Sequence, residues 1–191
     1  RDYYASRGLG DVYKRQERMC MNILVVVDMQ NDFIDGSLGT EEAQRIVPEV
    51  VKKIQTFDGI VFATRDTHEE NYLETAEGKK LPVRHCIRGT KGWQIRQEIA
   101  DLLTEAPVDK ETFGSRELVK KLEQIQEETS IESITLIGLC TDICVISNAM
   151  LCKAFLPEVP VQVDASCCAG VTVESHMQAL EAMKMCQIDI L

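Results

Sequence analysis

The feature that most constrains this chain is an alternation. Short, apolar, β-rich runs stop at a polar residue or a turn, and longer stretches with helical periodicity follow them. NILVVVD (22–28), GIVFATRD (59–66), SITLIGL (133–139), VPVQVDA (159–165) and the closing QIDIL read as strands. EEAQRIVPEVVKKIQTF (41–57), GWQIRQEIADLLTE (92–105), SRELVKKLEQIQEE (115–128), ICVISNAMLCKAF (143–155) and TVESHMQALEAMKM (172–185) read as helices. Pro48 is a kink or a late start in the first of them. Such an alternation predicts an α/β fold, a single-domain parallel sheet with helices on both faces. A length of 191 residues suits one domain with a substantial core.

The polar residues that close the strands are the candidates for chemistry. Parallel strands joined by right-handed crossovers bring their carboxyl ends to one edge, where such sheets bind ligands. Asp28 follows ILVVV, Asp66 and His68 follow IVFAT, Lys110 follows APVD, and Cys144 follows ITLIGL across a Thr-Asp junction. In GLCTDICV (138–145), Cys144 falls in the first helical turn, where the dipole and free amides favour a thiolate. Cys140 sits at the strand end and reads as a packing residue. A thiolate nucleophile needs a cationic or basic partner and a group that returns a proton to the leaving amine. Asp28, Lys110 and Cys144 supply those roles without a histidine.

Composition narrows the partners and the compartment. A net charge of −10 argues against nucleic acid or an anionic membrane. No apolar run is long enough to span a bilayer, so no membrane partner is expected. Eight cysteines without a CxxC pair do not form a zinc ribbon or a small disulfide scaffold, and a reduced, cytoplasmic setting is expected. The adjacent Cys167 and Cys168 read as packing residues at a strand end, with redox sensing as the lesser alternative. Residues 1–18, RDYYASRGLGDVYKRQER, fit neither a helix nor a targeting segment. They read as a non-native or disordered extension resembling a cloning remnant, with the domain over residues 19–191 and a natural start at Met19 or Met21.

VVVDMQNDF, VDKETFGS and GLCTDICV, in that order, resemble the catalytic segments of the isochorismatase-like cysteine hydrolases, a family that includes nicotinamidases. The resemblance covers nearly the whole chain from Met21 and implies a Rossmann-like, isochorismatase-like hydrolase fold. It implies that Asp28 carries the proton, Lys110 holds the thiolate and carboxylate, and Cys144 attacks a carbonyl. It also places a cis peptide at Leu139–Cys140 and an oxyanion hole at the backbone amides of Cys140 and Cys144. Family members that cleave a vinyl ether generally lack the cysteine. Cys144 therefore favours C–N cleavage of a small-molecule amide through an acyl-thioester, with nicotinamide to nicotinate plus ammonia, a step of NAD salvage, as the leading case. A homo-oligomer is expected on the same ground.

The resemblance extends to a metal. Asp66 and His68 stand in D-x-H spacing, and AEGKKLPVRHC adds Glu77 and His85, two of the chain's three histidines lying in this one stretch. Nicotinamidases hold a divalent ion with such a set, and carboxylate plus imidazole suits Zn, Mn or Fe. The plain alternative leaves His85 capping the loop and His68 exposed. The third histidine, His176, reads as structural or surface. The family commonly places an aromatic residue shortly before the last metal histidine. KKLPVRH has Leu81 and no aromatic there, which leaves Phe33 to bind one face of a substrate ring. Trp93 reads as core, and Gln30 with Asp32 as ties for the loop after the first strand. Three readings stay open: a metal-assisted nicotinamidase-like amidase, an isochorismatase-type hydrolase or amidase of another small substrate, and a non-catalytic redox or binding relative.

Overall fold

The computed structural model describes residues 20–191. The extension expected over residues 1–18, and Met19 as a start, lie outside the described residues. The strands are β1 Cys20–Val27, β2 Ile60–Asp66, β3 Val108–Lys110, β4 Ser130–Leu139, β5 Val161–Ala169 and β6 Asp189–Ile190. All pair in parallel in one sheet of order β3-β2-β1-β4-β5-β6. The helices are α1 Asn31–Ile34, α2 Glu41–Thr56, α3 Ala76–Lys80, α4 Gln97–Ala100, α5 Arg116–Glu128, α6 Ile146–Phe155 and α7 Val173–Met185. The chain winds outward from β1 to β3, then returns to the centre at β4 and winds the other way. The carboxyl ends of β1 and β4 therefore flank a switch point, where sheets of this kind open a crevice.

The two faces of β1 explain why helices cover both sides. Ile23 to Val27 are fully buried, so the strand has no solvent face. Leu24 and Val26 pack with Ala43, Ile46, Val50 and Ile54 of α2. Ile23, Val25 and Val27 pack with Leu118 and Leu122 of α5, Ala149 and Cys152 of α6, and Leu180 and Met183 of α7. Each such side chain, taken from water to the core, contributes about 1.5–3 kcal/mol before the entropy of ordering is subtracted. The helices start where the sequence supplies oxygen caps. Thr40 accepts from the Ala43 amide, Ser115 from the Leu118 amide, and Thr172 closes a reciprocal pair with Ser175. Pro48 lies inside an unbroken α2, whose buried stripe continues on both sides of it.

The predicted helix over 92–105 shrinks to α4. Residues 91–96 instead bond to the loop after β1. The Asn31 amide donates to Gln94 O at 3.0 Å, Asp32 to Gly92 O at 3.0 Å, and Arg96 to Met29 O at 2.8 Å. Tertiary pairing has overridden local helical preference. The polar stretch after β2 is built rather than loose. It holds a tight turn at Tyr72–Glu74, then α3, then a tail that pairs Ile87 with His68. β5 runs further than expected, through Cys167 and Cys168, which are buried on opposite faces of the sheet.

Candidate active site

Asp28 leaves the end of β1 with a φ of 47° and is fully buried. The Thr64 hydroxyl of β2 donates to its Oδ1 at 2.7 Å, and the Lys110 ammonium pairs with its Oδ2 at 2.7 Å. The same ammonium donates to Asp66 Oδ1 at 3.1 Å, to the Thr112 carbonyl at 3.1 Å and towards Cys144 Sγ at 3.4 Å. Three strand ends and one helix start thus meet at one cation. A lysine with so little exposure keeps its charge only if anions repay its desolvation. Burial opposes the Lys110 charge, but Asp28, Cys144 and Asp66 outweigh burial and hold the ammonium well above its usual range.

Cys144 itself lies in a widened π-type turn, Thr141–Val145, that leads into α6. The peptide Leu139–Cys140 is cis, at the position expected. Gly138, at a φ of 114°, lets β4 pass close to β1: a methyl group there would overlap the Val27 carbonyl oxygen. Burial first and the Asp28 charge second push the Cys144 thiol well above its usual range, and Lys110 offsets this only in part. Burial also raises Asp28, with Lys110 opposing.

The second half of the site is a carboxylate and imidazole cluster. Asp66, His68 and His85, all buried, present ligand atoms within 4.8 Å of one another. Glu77 adds Oε1 at 3.6 Å from His68 Nε2 and 3.8 Å from His85 Nε2. His85 Nδ1 lies 2.8 Å from the Val83 carbonyl, which assigns its proton to that nitrogen and leaves Nε2 as a lone pair facing the cluster. His68 Nε2 is buried 2.9 Å from Asp66 Oδ2 without hydrogen-bond geometry. An orphaned ring nitrogen aimed at two carboxylates fits a divalent cation, and this donor set suits Zn, Mn or Fe. The alternative with His68 exposed does not hold.

Cys144 and the carboxylate and imidazole cluster line one cavity of about 760 Å³, which also includes Phe33, Leu81, Phe113 and Val171. Its size falls in the range of small-molecule sites. The family model of the isochorismatase domain matches residues 22–191.

The chain belongs to the isochorismatase family.

Among relatives, the nicotinamidase/pyrazinamidase of Mycobacterium tuberculosis is 23% identical over 185 residues, covering 89% of this chain and 98% of its own. The nicotinamidase of Acinetobacter baylyi is 28% identical over 156 residues, 66% of this chain and 72% of its own. Among solved structures, the pyrazinamidase of Pyrococcus horikoshii in complex with zinc has a TM-score of 0.75 at 29% identity, covering 90% of this chain and 98% of that one. The L. infantum protein in complex with nicotinate shares the fold, with a TM-score of 0.78 at 20% identity, covering 90% of this chain and 92% of that one.

Phe33 lines the cavity, its ring centroid 5.5 Å from that of His85. Trp93 lies outside the cavity lining, stacked on Arg65 at 3.5 Å with its indole N–H donating to Thr67 at 2.9 Å. His176 receives or gives a hydrogen bond with Thr141 at 2.7 Å, a structural contact. Gln30 clamps the Asp66 backbone from both sides, and Asp32 accepts from the Cys86 amide.

Three residues were not singled out from the sequence. Thr64 holds Asp28, Phe113 lines the cavity beside Cys144, and the buried Tyr72 ring lies 4.6 and 4.9 Å from the two imidazoles. Tyr72 stands four residues after His68, and Phe113 sits within the VDKETFGS segment. Those positions were the available signals.

Proposed function

We propose that this protein is a metal-assisted cysteine amidase that hydrolyses the C–N bond of a small amide, with nicotinamide to nicotinate plus ammonia as the leading reaction. One observation carries the reading: a single cavity is lined by Cys144, whose sulfur meets the buried Asp28–Lys110 pair, and by Asp66, His68, Glu77 and His85. The 28% identical nicotinamidase and the 29% identical zinc-bound pyrazinamidase support it.

In this reading Asp28 takes the Cys144 proton as sulfur attacks the carbonyl carbon. Lys110 stays charged throughout and keeps the carboxylate and sulfur aligned. The oxyanion is assigned to the backbone amides of Cys140 and Cys144. Those of Ile143 and Val145 already donate to the Cys140 carbonyl. Asp28 then passes its proton to the departing nitrogen, and later activates the water that opens the thioester. A divalent ion held by Asp66, His68, Glu77 and His85 would supply a Lewis-acid anchor for a donor atom of the substrate. Phe33 offers one ring face. Leu81, standing in the cavity wall in the segment where nicotinamidases commonly carry an aromatic residue, favours a second reading in which another small amide is the better substrate.

The test is ammonia release from nicotinamide by metal-loaded protein, with Cys144→Ala in parallel. Release by the parent alone supports the reading. No release, with Cys144 still selectively alkylated, keeps a cysteine hydrolase and removes nicotinamide.

A further inference from the structure

The cavity lining is of two kinds, polar ligands and apolar side chains. Asp66, His68, Glu77 and His85 are the ligands just described. Beside Cys144 the lining also holds Phe113, Ile143 and Val171, to which neither the thiol chemistry nor a cation gives a task. Phe113 and Val171 are 45% and 52% exposed, yet their backbones are pinned to the nucleophile turn. The Phe113 carbonyl accepts from Asn148 Nδ2 at 3.1 Å, and the same amide group donates to the Cys144 carbonyl at 2.8 Å. The Val171 amide donates to the Asp142 carboxylate at 3.1 Å. Exposed apolar surface continues onto α7 at Val173 and Met177. Single exposed apolar residues are ordinary. A run of them at the mouth of a cavity, fixed in position beside a nucleophile, marks a surface for an apolar ligand group.

Direction decides which part of a substrate reaches this surface. An acyl group anchored towards the imidazoles places its carbonyl carbon at Cys144, so the nitrogen substituent points away from the cluster. We propose that Phe113, Ile143 and Val171 form a leaving-group subsite for an apolar N-substituent, and that the site therefore takes secondary carboxamides R–CO–NH–R′ with apolar R′. This rests on the cysteine-hydrolase reading of the same cavity. The thiol proton moves to Asp28 while sulfur bonds to the carbonyl carbon. The C–N bond breaks, the nitrogen receives that proton, and R′NH₂ leaves. Water then adds to the thioester, the C–S bond breaks, the acid departs and the thiol regains its proton. One amide and one water give one acid and one primary amine, with no oxidant.

The experiment uses the full chain loaded with zinc and pyridine-3-carboxamides bearing N-methyl, N-butyl or N-benzyl groups, beside unsubstituted nicotinamide. Amine release is followed by chromatography. Burial of the added carbons predicts that kcat/KM climbs from methyl to benzyl by about tenfold. The benzyl-to-methyl ratio collapses towards one in Phe113→Ala and Val171→Ser. A rising series supports the subsite even if nicotinamide is the poorer substrate. A flat or falling series with nicotinamide still hydrolysed overturns the subsite alone. No hydrolysis of any of the four amides overturns the subsite, and the cysteine-hydrolase reading beneath it falls as well only if Cys144 also resists selective alkylation.

Discussion

Cys144 shows why a nucleophile's identity is legible in a sequence while its protonation is not. The GLCTDICV spacing puts the residue at a helix start, and a helix start favours a thiolate. The fold adds two terms that no local pattern carries: near-complete burial, and the Asp28 charge arriving from another strand. Both push the thiol upward. The thiolate fraction is then small at neutral pH and grows about tenfold per pH unit below the raised pKa. The alkylation rate of Cys144 by iodoacetamide, a neutral reagent, is therefore expected to climb steadily between pH 7 and 9. Asp28→Asn removes the charge that opposes ionisation and leaves Lys110 in place. Its alkylation at pH 8 should be faster than the parent's although turnover is lost. Mass-spectrometric labelling of the intact protein reads both. A pH-independent rate, or a slower Asp28→Asn variant, would show instead that sulfur and Lys110 rest as a preformed ion pair.

Among the elements, the long central strands were legible, and the three-residue β3 and the connections only partly so. Buried parallel strands are continuous β-branched runs, and nothing else in a chain of this kind looks like them. The segment 92–105 has helical periodicity but spends its first residues bonding to the loop after β1, a partner more than 60 positions distant in the chain. The position of Asp28 depends on another such long-range contact. Gly138 brings β4 against β1 one residue before Asp28, paired in register with Val27. Gly138→Ala would force a side chain onto the Val27 carbonyl at a φ of 114°. A strained non-glycine conformation alone costs of the order of 1–3 kcal/mol. The variant is expected to melt several degrees lower and to lose kcat more than KM, because the carboxylate next to the displaced strand end moves relative to Cys144. Calorimetry and steady-state kinetics check the two parts. A variant with parent-like melting would mean that β4 can shift without cost.

For the molecule as a whole, the sheet order determines which distant segments share the crevice, and a cation would tie them together. Asp66 and His68 stand at and just beyond the end of β2, whereas Glu77 and His85 belong to the stretch that returns over it. The sequence gives the four residue types and the D-x-H spacing, but their convergence depends on how that stretch folds back. A ligand that binds only the folded arrangement stabilises it by mass action, about 2.7 kcal/mol at a free concentration 100 times Kd. For a domain of this size each kcal/mol raises Tm by roughly 2–4 °C, so the shift should be roughly 5–10 °C. The unfolded chain exposes eight cysteines that compete for zinc, which makes manganese the cleaner probe. Chelator-treated protein should melt lower, recover with manganese, and lose the recovery in His85→Ala while that variant still folds by circular dichroism. Equal melting with and without manganese, and with and without zinc, would remove the cation from the site and leave the buried His68 nitrogen without a ligand to explain it.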